Sequence, residues 1–237
     1  MKILALDSSA VSASAAVLDD DKVLGEFFIN TKQTHSQTLM PMVQQVLIQT
    51  KTSLEEIDLF AVSAGPGSFT GVRIGVACVK GMSFAQNKPC IGVSTLEAMA
   101  YPLSMLNGII CAVMDARCQQ VYHALFRVNG SKVERIYDDC AVAISDLAES
   151  LRQYSDETIY LVGDGAKLCY ESEAFQPLQV QLIAEHLQYQ RAVGVAQCAI
   201  MNLKQEACTV TAKQLAPVYL RLPQAERELK KKLEGTT

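Results

Sequence analysis

The stretch that most restricts this chain is Ser-Ala-Gly-Pro-Gly-Ser-Phe-Thr-Gly-Val-Arg-Ile-Gly at residues 63–75. An apolar segment, 58–64, runs into Gly65-Pro66-Gly67, and an apolar helical pattern over 70–86 follows at once. Two glycines around a proline make a tight strand-to-helix turn, because glycine reaches backbone angles closed to other residues and proline fixes its own. Ser68 or Thr70 can cap the helix. Its first turn then holds free N–H groups, a setting that suits an anion. The run lacks the Lys-Ser/Thr pair of a Walker loop and does not read GxGxxG. A plain connector of small residues accounts for the same letters, so both readings stand.

Around this turn the pattern predicts strands over 2–7, 12–18 and 23–29, a helix over 35–50, the strand at 58–64, the helix at 70–86 and a strand over 90–93. Pro41 lies inside the first helical pattern and predicts a start or a bend there. Ser53-Leu54-Glu55-Glu56 has the capping-box spacing of a short helical turn. Three strands, helix, strand, helix, strand is the half-domain order of the ribonuclease-H-like or actin/hexokinase-like architecture. Residues 108–114, 121–128, 133–137, 143–154, 158–162 and 191–205 repeat the order less clearly as three strands, helix, strand, helix. The expected molecule is therefore α/β and two-lobed, with a degenerate second lobe and a cleft between lobes. The boundary falls at 103–107, giving units 1–103 and 104–222, then a charged helical tail over 223–237 with its helix at 224–233.

Composition narrows the function classes. Of 237 residues, 49% are apolar and 19% charged, which excludes intrinsic disorder. A net charge of −4 excludes a generic phosphate-driven nucleic-acid binder. Lys230, Lys231 and Lys232 alternate with acids and read as a solvated helix face. The eight cysteines lack zinc-site spacing and suit a reducing compartment as free thiols. Residues 3–6 are too short an apolar run for a signal peptide, and no uncharged apolar stretch reaches a membrane span. A cytoplasmic protein is expected.

Asp7-Ser8-Ser9 ends the first strand. At that point a nucleotide-binding lobe places a carboxylate near a metal-bound phosphate, whereas an ordinary Asx turn uses the same residues. On the helices, Leu39, Val43 and Val46 share one face, as do the small residues Gly71, Gly75 and Cys78 with Met82. Glycines four apart each cost about 1 kcal/mol in a helix, so they predict close packing against another helix, inside the fold or on a partner. His35, His123 and His186 are far apart and form no HxxxH or HExxH motif. Asp115 and Arg117 either face the cleft or form a local surface pair.

Residues 3–9, 64–75, 91–96, 115–117 and 217–221 together resemble the TsaB (YeaZ) family of the actin/hexokinase-like (ASKHA) superfamily. The resemblance implies a subunit of the bacterial machinery that adds threonylcarbamoyl to the adenosine beside the anticodon of tRNAs. In that machinery TsaD is the transferase and direct partner, and TsaE is a small ATPase. The implied role is non-catalytic: scaffolding TsaD, or forming a homodimer when alone, with tRNA reached only through the complex and no membrane contact. Thr95 and Met99 stand where TsaD has its two metal-binding histidines, so no metal site and no catalytic residue is expected. Gly163-Asp164-Gly165 is the nearest counterpart of the second lobe's adenosine-gripping glycines.

The expected interface residues are Leu39, Val43, Val46, Gly71, Gly75, Cys78 and Met82. Residues Asp7, Ser8, Ser9, Gly65, Gly67, Ser68 and Thr70 are expected to face ATP or ADP at an interface of the assembled complex, the isolated chain holding no cofactor. The alternative is an autonomous ATP-dependent enzyme or a glycoprotease-like hydrolase.

Overall fold

The computed structural model describes residues 1–31, 33–205 and 208–221, so the helix expected over 224–233 lies outside the described residues. Two five-stranded sheets form the frame. The first contains β1 (Lys2–Asp7), β2 (Ala13–Asp19), β3 (Lys22–Ile29), β4 (Leu59–Gly65) and β5 (Cys90–Ser94), ordered β3-β2-β1-β4-β5. The second contains β6 (Asn107–Asp115), β7 (Gln120–Asn129), β8 (Val133–Ala143), β9 (Ile159–Val162) and β10 (Val180–Leu182), ordered β10-β9-β6-β7-β8. Taken from its other edge, the second order repeats the first. In each sheet three antiparallel strands are extended by two parallel ones. This is the expected two-lobed α/β fold of the actin/hexokinase-like kind.

Helices bury both faces of the first sheet, which explains why β1 and β4 are near-continuous apolar runs. Successive strand side chains point to opposite faces. Leu4 and Leu6 accordingly pack under α1 (His35–Thr50) and α2 (Phe69–Gln86), whereas Ile3 and Ala5 pack under α6 (Ala192–Lys204). The sequence pattern places the segment 191–205 in the second lobe. In the structure the corresponding α6 lies on the first sheet instead, with Val195, Ala196 and Ala199 against Ile3, Ala5 and Ala61. An apolar helix pattern reports a buried face but not which sheet buries it.

That limit also corrects the expected interface. Leu39, Val43 and Val46 are at most 2% exposed and sit in the core with Met82, while half-buried Cys78 packs against it. A Cβ on Gly71 would stand 2.1 Å from Ser8 O, and one on Gly75 would stand 2.7 Å from Ser8 Oγ. The small-residue face thus lets α2 press on the turn after β1, not on a partner helix.

Local signals behave as their chemistry predicts. Ser68 caps α2, its Oγ accepting from Gly71 N–H at 3.2 Å, while Thr70 stays exposed. Glu56 accepts from Ser53 N–H at 2.8 Å, completing the capping box. Helix α1 starts at His35 and runs through Pro41, which is exposed. The sequence pattern misses α3 (Thr95–Ala100), α5 (Ala166–Tyr170) and β10, which are too short to show a period. It also ends β8 early, because Asp138 and Asp139 and the register shifts opposite β7 interrupt the alternation. The 143–154 segment is α4 (Ile144–Leu151) followed by a short 3-10 turn. Among the described residues no helix is long and apolar enough to cross a membrane.

Two glycine substitutions in one helix should have opposite signs. Gly71→Ala is expected to destabilise the protein by about 2–3 kcal/mol, because Ser8 backbone has nowhere to go. Gly81→Ala meets nothing within 4 Å and should stabilise by about 0.5–1 kcal/mol. Urea unfolding midpoints read both.

Candidate functional site

Strands β1, β4, β6 and β9 all end toward one place, a cavity of about 580 Å³. Ligands in open α/β sheets commonly bind outside the carboxyl ends of such strands. One wall carries Ser9, Gly67, Ser68, Phe69 and Thr70, and the other carries Asp115, Arg117, Tyr122 and Asp164. The segment 218–221 completes the lining.

The two walls are built alike. β1 ends in Asp7 and β6 ends in Asp115, and each carboxylate accepts a backbone N–H two residues on: Ser9 N to Asp7 at 2.9 Å, Arg117 N to Asp115 at 2.7 Å. The loops after β4 and β9 are Gly65-Pro66-Gly67 and Gly163-Asp164-Gly165. Gly65 and Gly163 have φ of +129° and +108°, and a Cβ at either would collide with a backbone oxygen, Val218 O or Val113 O. Gly163-Asp164-Gly165 is therefore the second sheet's version of the Gly-Pro-Gly turn.

The two aspartates differ in fate. Asp7 is buried, with its oxygens taken by Ser63 Oγ, by Ser9 Oγ at 2.8 Å and by Ser9 N–H. Burial pushes its carboxyl above the usual range, and those donors partly oppose the shift. Asp115 opens to the cavity and pairs with exposed Arg117 at 3.3 Å, so both expectations for this pair are met. An exposed pair of this kind contributes little to stability.

Of the residues expected to face a nucleotide, Ser9, Gly67, Ser68 and Thr70 line the cavity. Asp7 is sealed behind Ser9, Ser8 Oγ donates to Gly71 O at 2.9 Å, and Gly65 lies beneath Val218. A hydroxyl or carboxylate in a turn can bond inward as readily as outward, and here the neighbouring Ser63 and Gly71 draw two of them in.

The sequence reading missed Asp164 as a cavity acid. Burial pushes its carboxyl up to about 6, with the charges of Asp115 and Asp7 adding to the rise and a 2.9 Å hydrogen bond from Gln190 opposing it. It also missed the hairpin at Arg117, Cys118 and Gln119, three successive non-glycine residues at φ of 65°, 56° and 56°. Each left-handed residue of this type costs roughly 1–2 kcal/mol. No local letter signals this, since only glycine advertises such a backbone.

Thr95 and Met99 are buried, Met99 packing with Leu96, Met114 and Val162. These residues do not fit a divalent metal, and among the described residues no three His, Cys, Asp or Glu side chains converge to hold one. The histidines lie off the cavity wall. His35 Nε2 contacts Ala10 O at 2.7 Å, His186 is exposed, and His123 Nε2 lies 3.0 Å from Cys140 Sγ. Burial pulls His123 down to about 4 and raises Cys140, so that pair is neutral near pH 7.

Known proteins match nearly the whole chain. The family described as "TsaD: tRNA N6-adenosine threonylcarbamoyltransferase" matches residues 22–229. The tRNA threonylcarbamoyladenosine biosynthesis protein TsaB of Bacillus subtilis is 31% identical over 234 residues, covering 95% of this chain and 96% of its own. TsaB of Escherichia coli is 32% identical over 205 residues, covering 78% and 88%. The solved structure of YeaZ from Pseudomonas aeruginosa superimposes with a TM-score of 0.76 at 26% identity, covering 92% of this chain and 99% of its own.

Because Asp164 sits near 6 in the fold against an ordinary 3.8, the folded protein holds its proton more tightly than the unfolded chain. That contribution is full below about pH 4 and is lost as pH rises through about 6. Asp164→Asn keeps an acceptor for Gln190 and removes the charge. With a discount for the open side of the cavity, it should stabilise by about 1–2 kcal/mol at pH 8 and by nothing at pH 3.5. Urea melts at the two pH values measure the difference.

Proposed function

This chain belongs to the TsaB group of the TsaD family, and from that membership we propose that it acts in tRNA threonylcarbamoyladenosine biosynthesis as a non-catalytic pairing subunit. The observation that carries the reading is the outer side of α1 and α2. These helices of 16 and 18 residues hold no Asp or Glu, and only Arg73 and Lys80 are charged. Phe84 is 81% exposed and Ile48 55%, with Met40 also outside. Arg73, Ala77, Gly81 and Phe84 follow one another at helical spacing on the exposed side of α2. A surface without acids that carries an aromatic, a methionine and an arginine has the composition of an interface core.

TsaD is the proposed direct partner on this face, and TsaE joins the assembled complex. Without TsaD a second copy covers the same face, an isologous homodimer about a two-fold axis. Thr95 and Met99, where metal-binding histidines would be required, support a role without chemistry of its own. A nucleotide, ATP or ADP, belongs at an interface of the complex near Ser9, Gly67, Ser68 and Thr70, and the chain alone holds none. The tRNA is reached through the complex, since a net charge of −4 does not suit a generic phosphate-driven binder. The cytoplasm is the proposed setting, and the eight cysteines are all free thiols in the fold.

The polar cavity with Asp115 and Asp164 keeps a second reading in play, an autonomous ATP-dependent enzyme. Light scattering of the chain with TsaD tests the first reading: a one-to-one heterodimer is expected. Phe84→Glu and Ile48→Glu should each weaken pairing by at least about 30-fold while leaving the melting temperature unchanged. Undiminished pairing in both variants would sink this surface. Gly75 is not a usable probe, because it backs onto Ser8 and Val62. The isolated chain should hydrolyse ATP no faster than background, and measurable turnover would favour the second reading.

A further inference from the structure

We propose that Arg73, Phe69 and Tyr219 form a latch that ties the outer side of α2 to the mouth of the cavity and thereby holds the two sheets together across it. What moves the latch rests on the reading of the α1–α2 face as a partner surface. The latch itself does not.

A single length of chain, 215–221, crosses from the first sheet to the second. Buried Leu215 anchors it beside α2, where Lys80 Nζ donates to Leu215 O at 2.9 Å. Val218 N–H then donates to Ala64 O at 2.7 Å, and Val218 O takes the space over Gly65. Tyr219 follows, its ring centroid 4.9 Å from that of Phe69. The Arg73 guanidinium lies 3.7 Å over the Phe69 ring, and its Nε donates to Tyr219 Oη at 2.7 Å. Finally, an Arg221 guanidinium N–H donates to Ala116 O at 2.8 Å, on the second sheet's hairpin.

Past Leu215 this strap buries little. Val218 and Tyr219 are 54% and 43% exposed, so it is held by the named contacts and not by a core. Elements of that kind open at low cost. The hairpin it grips is the one with three left-handed residues in succession, a conformation that persists only where neighbours enforce it. Arg221 on Ala116 O and Asp115 on Arg117 N–H are such neighbours. Lifting the strap removes the first.

Arg73 belongs to two surfaces at once. It clamps Tyr219, and it lies on the exposed stripe with Ala77, Gly81 and Phe84. A partner covering that stripe excludes water from the guanidinium, and cation–π contacts strengthen on desolvation. Pairing on α2 therefore tightens the strap and stiffens the hairpin on the far wall of the cavity.

Amide hydrogen exchange on the full chain tests this. Arg73→Ala should speed exchange by about tenfold at 218–221 and at 116–120, with β1 and α6 unchanged. Tyr219→Phe, which keeps the ring and loses only the hydroxyl, should speed both segments by a smaller factor. Parental exchange at both segments in both variants overturns the latch, as does an effect confined to 218–221. Adding TsaD should slow exchange at 116–120 in the parent and not in Arg73→Ala. If TsaD binds without slowing that hairpin, the coupling is wrong. If TsaD does not bind, the partner reading and the coupling fail together, while the variants alone still decide the latch.

Discussion

The close approach of α2 to the Ser8–Ser9 turn governs the centre of this molecule. Ser68 N–H donates to Ser9 O at 2.7 Å, and added Cβ atoms on Gly67 and Gly71 would lie 2.4 and 2.1 Å from Ser9 O and Ser8 O. Backbone packed this tightly needs the glycines and leaves no room for side chains between helix and turn. Asp7 is sealed in the same knot, where unpaired burial of a carboxylate would be costly and hydroxyl and amide donors from Ser63 and Ser9 offset that cost. The direction of α2 follows from the knot. So do the place of Phe69 and Thr70 on the cavity rim and the outward position of Arg73 and Phe84.

Both lobes use one frame for unlike purposes. Asp7 and Asp115 close equivalent strands, yet Asp7 is saturated inside and Asp115 faces the cavity with Arg117 and Asp164. The equivalent loops carry proline in one lobe and an acid in the other. A chain with this frame keeps a cleft while its first-lobe carboxylate serves the fold. Its most unusual exposed surface is then the α1–α2 side, where a nearly uncharged pair of helices leaves Phe84 in water.

Much of the first lobe was legible in the letters. Its five strands and two long helices fall within about a residue or two of their sequence-based bounds, because strands buried on both faces read as apolar runs and helices of this length show a clear period. Ser68 and the Ser53–Glu56 box were legible for a local reason, since caps act over three residues. Within the site, Gly67, Ser68 and Thr70 were found through the Gly-Pro-Gly turn, and Ser9 through the Asp7-Ser8-Ser9 turn that ends the first strand. Asp164 was not, because its environment is made by Gln190 and by Asp115 from other parts of the chain.

The sequence by itself determined the α/β class, the order of the longer elements and the glycine turn, which rest on local period and spacing, and the family, which rests on the resemblance carried by residues 3–9, 64–75, 91–96, 115–117 and 217–221. Only the tertiary structure decided which apolar residues face inward. Leu39, Val43 and Val46 look the same in letters as Ile48 and Phe84, yet the first three lie in the core and the last two lie outside. It alone placed α6 under the first sheet and carried Tyr219 back to Arg73, 146 residues away in sequence. The reason is physical: periodicity records that a face prefers to leave water, while the partner that covers it is chosen by contacts between segments far apart in the chain.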